Sequence, residues 1–129
     1  MTERYIVKIE ARFEAAHNLR SYRGVEEPLH GHSYRVEAFI RSLSGSLDDD
    51  DIAVDFISSR GKLEILARKL DYNYINIVPP FTEINPTAEN VAAWFYRELS
   101  SSLHGEGAVV DSITLWEGPV NSVSYTPER

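Results

Sequence analysis

The chain has 129 residues, enough for one domain with a core of its own. Its net charge is −7 and it carries no run of lysines or arginines, which excludes a nucleic-acid partner held through its phosphates. It has no cysteine, so disulfides, thiolate metal sites and thiol nucleophiles are excluded as well.

From Tyr5 to Phe13 the odd positions Tyr5, Val7, Ile9, Ala11 and Phe13 are apolar, and Lys8, Glu10 and Arg12 between them are charged. Period-2 alternation of this kind predicts a strand with one buried face, running on to deliver His17 near its end. The same alternation denies this segment the continuous apolar core of a signal peptide. No apolar run approaches the ~20 residues of a membrane span, so a cytoplasmic protein without a membrane partner is expected.

Asn18 to Leu29 mixes polarities around Gly24 and Pro28 and reads as a loop. A second strand begins at His30. One parity holds His30, His32, Tyr34, Val36, Ala38 and Ile40; the other includes Ser33, Arg35, Glu37 and Arg41. Ser42 to Asp51 (SLSGSLDDDD) reads as a solvated hairpin tip, its aspartates lacking the spacing of an EF-hand loop. Asp55 is placed to cap a helix whose stripe is Leu63, Leu66, Ala67 and Leu70, weakened locally by Gly61. Asp71 to Phe81 reads as a connector. Thr87 then caps a second helix, with Ala88, Val91, Ala92, Phe95, Leu99 and Leu103 as its buried stripe and Gly105 as its stop. A third strand over Val109–Glu117 and a last one over Asn121–Thr126 flank the Gly118-Pro119 turn.

The order is ββααββ over a single domain, residues 1–129. It predicts an α+β fold: an antiparallel sheet with both helices on one face. Its edges are left open to pairing between subunits.

Three of the four histidines, His17, His30 and His32, fall near the ends of the first two strands. His30 and His32 project to one side, and that side is the apolar one, where an unpaired imidazole is costly. Metal ligation satisfies such rings, and so do hydrogen bonds; three neutral imidazoles with an open position describe a catalytic zinc site. Glu26 and Glu27, just upstream, read either as polar loop residues or as an acid/base pair beside the metal. Glu117 reads as a strand-end charge or as a two-point anchor for a ring N–H and its amine. Asp71 sits against the helix dipole and asks for a partner elsewhere. His104 reads as an exposed bystander.

The segments FEAAHNL, LHGHSYRVE, VDF (Val54–Phe56), LD (Leu70-Asp71), NPTAEN and WEGP occur in one order over nearly the whole chain. Together they resemble the 6-pyruvoyl-tetrahydropterin synthase family, which includes 6-carboxytetrahydropterin synthases. The resemblance implies a T-fold, in which trimers join their sheets in a barrel and often stack as hexamers. It implies zinc on His17, His30 and His32, and a pterin anchored by Glu117 between subunits with Thr87 and Glu89 nearby. The family's usual cysteine position is Glu26 here, and the histidine expected after Asp71 is Tyr72. The resemblance is nearer to a subgroup with glutamate three residues before HGH, the place of Glu27. Its members cleave 7,8-dihydroneopterin triphosphate to 6-hydroxymethyl-7,8-dihydropterin for folate synthesis. Glu27 is then the acid/base and Tyr72 stands in for the missing histidine beside Asp71. Two alternatives stay open: synthase chemistry forming 6-pyruvoyl- or 6-carboxytetrahydropterin, and a metal- and pterin-binding oligomer without catalysis.

Overall fold

The computed structural model describes residues 4–128. It contains β1 (Val7–His17), β2 (His30–Ser42), α1 (Phe56–Leu70), β3 (Asn73–Tyr74), a 3-10 turn (Ile75–Ile77), α2 (Ala88–Ser102), β4 (Ala108–Glu117) and β5 (Asn121–Tyr125). The sheet order is β3-β1-β2-β4-β5. Both helices pack on one face, as the alternation predicts. The buried parities of β1 (Ile9, Ala11, Phe13) and β2 (Tyr34, Val36, Ala38, Ile40) meet Leu63, Leu66 and Leu70 of α1 and Val91, Phe95 and Leu99 of α2. Each large apolar side chain so buried contributes about 1.5–3 kcal/mol. The helix starts form where capping residues stand. Asp55 Oδ1 accepts from the amides of Ile57 (2.8 Å) and Ser58 (3.3 Å), and Thr87 Oγ1 accepts from that of Asn90 (3.1 Å).

Three details differ from the sequence expectation. The connector after α1 contains β3, which pairs in parallel with the end of β1, Ala15 opposite Asn73 and Ala16 opposite Tyr74. The sheet is therefore five-stranded and mixed; two residues are too few to show a periodicity. The stretch from Ser42 to Asp51 leads into α1, so it turns no hairpin, although it is mostly exposed as expected. In β4 the pairing with β2 shifts at Phe39/Ile40, with Val110 opposite Ile40 and Ser112 opposite Phe39. Asp111 is the extra residue of this bulge, so Val110 enters the core beside Ile113 and Leu115 although strict alternation from them would place Val109 there.

No helix among the described residues is long and apolar enough to cross a membrane.

Candidate metal centre and its cleft

In the β1–β2 ladder His17 stands directly opposite His30, and Ala15 opposite His32. All three imidazoles fall on the helix-covered side, because residues two apart on a strand share a face. Folding the loop 18–29 back on itself turns a separation in sequence into a cross-strand contact. His17 Nε2 and His30 Nε2 lie 3.1 Å apart, and one ligand atom from each of the three rings lies within 4.8 Å of the others.

The outer ring nitrogens decide the tautomers. His17 Nδ1 is 2.9 Å from the Pro86 carbonyl oxygen and His30 Nδ1 is 2.8 Å from that of Pro28. A carbonyl oxygen only accepts, so each Nδ1 carries the proton and each Nε2 a lone pair. Two lone pairs facing at 3.1 Å repel unless a cation joins them. The third nitrogen, His32 Nε2, is buried without a hydrogen bond, since Glu117 Oε1 at 3.1 Å is out of line with it. An orphaned buried polar atom is costly and asks for a partner. A metal ion on His17, His30 and His32 would give all three nitrogens a partner at once, and the donor set fits one.

Charge supports ligation. Burial pushes the His32 imidazolium below its ordinary pKa of 6.5. His17 and His30 add to that push when charged, against the opposing pull of Glu117 and Glu27. The ring is held in the neutral, ligating form. Tyr34 lies beneath: its ring stacks on Phe13 at 4.7 Å, and its hydroxyl is 3.3 Å from His17 Nδ1. Burial, with the negative charges of Glu117 and Glu27, raises its phenol far above the usual range, so it stays protonated. The sequence reading missed Tyr34 as a support of the histidines. The signal was present, for Tyr34 shares the parity of His32 two residues on.

Beside the histidines opens a cleft of 470 Å³, a size that suits one small molecule. It is lined by His17, Glu27, Thr87, Glu89 and Glu117, together with Tyr22 and Arg23. The predicted substrate-side residues are thus gathered in one place. The Glu27 carboxylate accepts from the Leu19 amide (3.1 Å) and stands 3.8 Å from His30 Nε2. Glu26 is exposed and turned to Asn18 Nδ2 at 3.5 Å, away from the cleft.

Asp71 and Tyr72 are not brought there. Asp71 Oδ1 accepts from the Glu14 amide at 2.9 Å, which is the partner its awkward helix-end position called for. The Tyr72 amide donates to the Glu14 carbonyl at 2.6 Å, and its ring is 85% exposed. Glu14 has the opposite strand parity to His17. Tyr72 lines a separate depression with Glu14, Ala16, Gly31 and Ser33 of that other face, and His32 reaches its wall. His104 is exposed, as expected.

Fold and site together define a class: a helix-backed sheet carrying a three-histidine cluster, with the donor set of a metal site, at the wall of a small-molecule cleft. Residues 6–128 match the 6-pyruvoyl tetrahydropterin synthase family, and the chain belongs to it. It is 32% identical over 101 residues to a 6-carboxy-5,6,7,8-tetrahydropterin synthase of Synechocystis sp., covering 76% of this chain and 77% of that one. It is 28% identical over 110 residues to a dihydroneopterin monophosphate aldolase of Pyrococcus furiosus, covering 84% and 85%. Two solved structures share the fold. One is a Caenorhabditis elegans 6-pyruvoyl tetrahydropterin synthase (TM-score 0.83, 20% identity, 98% of each chain). The other is a Plasmodium vivax 6-pyruvoyltetrahydropterin synthase with a catalytic glutamate changed to alanine (TM-score 0.78, 15% identity, 99% and 100%).

Proposed function

We propose that this chain is a zinc-dependent pterin lyase that cleaves the side chain of a phosphorylated 7,8-dihydroneopterin to leave 6-hydroxymethyl-7,8-dihydropterin. The observation that carries the reading is Glu27, a carboxylate on the cleft wall 3.8 Å from His30 Nε2 in a chain without cysteine. It is supported by the aldolase name of one relative and by the catalytic glutamate of the Plasmodium vivax protein.

Zinc on His17, His30 and His32 supplies a Lewis acid that lowers the pKa of substrate hydroxyls. Glu117 holds the pterin through two parallel hydrogen bonds to a ring N–H and its amine, with Thr87 and Glu89 lining the same cleft. Glu27 takes the proton of the C2′ hydroxyl. The C2′ carbonyl forms, the C1′–C2′ bond breaks, and its electron pair moves into the ring imine. A proton then returns to C1′, and the phosphorylated two-carbon aldehyde leaves. Asp71 and Tyr72 face away within one chain, so any part they take is at a neighbouring subunit's site. The edge of β5, the part of β1 that the two-residue β3 leaves unpaired, and the exposed Tyr22, Val25, Leu29 and Val120 support a homotrimer or homohexamer.

The test is product analysis after incubating the zinc-loaded protein with dihydroneopterin triphosphate and, separately, the monophosphate. Accumulation of 6-hydroxymethyl-7,8-dihydropterin is expected. A second reading, 6-carboxytetrahydropterin synthase chemistry, is favoured by the Synechocystis relative's higher identity. Recovery of the 6-carboxy or 6-pyruvoyl product without the hydroxymethyl one would establish it and overturn the lyase. Tight pterin binding with no turnover of either substrate would leave a binding protein.

A further inference from the structure

We propose that Asn18 is the residue that turns Glu27, rather than Glu26, toward the metal centre, acting as a positioning residue for the acid/base group. The inference rests on the lyase reading above and deepens it.

Asn18 follows the ligand His17 and is 6% exposed. Its main chain is clamped at two points by the buried Asn76: the Asn18 amide donates to Asn76 Oδ1 (3.1 Å), and its carbonyl accepts from Asn76 Nδ2 (2.8 Å). Its side chain is held at the other end by Tyr74, whose hydroxyl donates to Asn18 Oδ1 at 2.5 Å. That leaves Nδ2 one direction to point, and there it meets the Glu27 carbonyl at 3.1 Å and Glu26 Oε1 at 3.5 Å. The Glu27 carbonyl only accepts, so the amide cannot be reversed without losing both contacts.

Two adjacent glutamates of equal chemistry are thereby sorted. The donor end of Asn18 draws the Glu26 carboxylate and the Glu27 main chain to one side. Leu19 completes the grip: its carbonyl takes the Glu27 amide (2.9 Å) and its amide meets Glu27 Oε1 (3.1 Å). The Glu27 carboxylate is left on the side of His30. A buried, fully paired amide is a rigid support, and misplacing a catalytic group by about 1 Å costs up to ~100-fold in rate.

The decisive experiment is a double-mutant cycle on the zinc-loaded protein. Asn18→Asp keeps the shape and the acceptor for Tyr74 but replaces the donor with an oxygen facing two others. We expect kcat to fall about tenfold or more, with KM for the pterin within about threefold and zinc stoichiometry unchanged. In a Glu27→Gln background the same change should add less than about twofold, because the group it positions is already gone. Tyr74→Phe, which leaves the donor in place, should lower kcat by about two- to fivefold with the same coupling to Glu27. It carries the cycle alone if Asn18→Asp does not fold. Equal fold-losses in both backgrounds, or loss of zinc on changing Asn18, overturn the proposal. Full activity of Glu27→Gln by itself overturns the lyase reading and the proposal with it.

Discussion

The two faces of the sheet make opposite uses of the same strands. On the helix-covered face His17, His30 and His32 cluster, and His17 lines one cleft with Glu27 and Glu117, every one supplied by a single chain. On the open face the polar groups around Glu14 are paired: Ser33 Oγ donates to Glu14 Oε2 at 2.6 Å, Asp71 accepts from the Glu14 amide, and the Tyr72 amide donates to the Glu14 carbonyl. The one buried side-chain nitrogen without a hydrogen bond among the described residues, His32 Nε2, lies on the first face. The orphaned His32 Nε2 therefore marks the face on which the proposed chemistry is placed.

The largest test of that contrast removes a ligand. His17→Ala should abolish stoichiometric zinc and lower activity by about 10³-fold or more, measured by metal analysis and product formation. The ring at that place has no substitute on the covered face.

Next comes the sorting of the glutamates. Glu27→Gln should lower kcat by about 10²–10⁴-fold with zinc retained. Glu26→Gln should stay within about threefold, since that carboxylate is exposed and outside the cleft. Equal losses would erase the distinction between them.

On the open face Asp71→Ala should cost about 1 kcal/mol through the unpaired Glu14 amide, read as a fall of about 4 °C in Tm. Tyr72→Phe should leave both Tm and activity within experimental scatter if each chain supplies its own site. A loss of activity above tenfold in Tyr72→Phe would show that the open face works across a subunit boundary.

The smallest effect concerns pH. Burial pushes the Glu37 carboxyl up, but hydrogen bonds from Trp116 Nε1 (2.7 Å) and Lys8, with the charges of Lys8 and Arg35, carry it below its ordinary 4.5. The unfolded chain binds that proton first. The stabilisation is thus complete above about pH 4.5 and fades as pH falls through the lower, folded value. Glu37→Gln should flatten the acid limb of a Tm-against-pH curve and leave zinc binding at pH 7 untouched.

Much of this was legible in residue order. Strand parity put His30, His32 and Tyr34 on one buried face, and capping chemistry placed both helix starts at Asp55 and Thr87. Two elements escaped. β3 is two residues long and has no pattern of its own; it forms because the Asp71 turn lays Asn73 and Tyr74 along the end of β1. The bulge at Asp111 shifts which valine is buried, and it arises from pairing with β2 rather than from β4 itself. Asn18 was likewise invisible, since its partners Tyr74, Asn76 and Glu27 are distant in sequence or local only in space.

The sequence by itself determined the fold class, the three imidazoles and the absence of a thiol, because alternation, capping and residue identity are local properties. Which nitrogens are orphaned, which of two neighbouring glutamates faces them, and on which side of the sheet Tyr72 lies were decided only in three dimensions. Those depend on cross-strand register and on distant main-chain groups such as the Pro86 carbonyl, 69 residues from His17, whose position no spacing encodes.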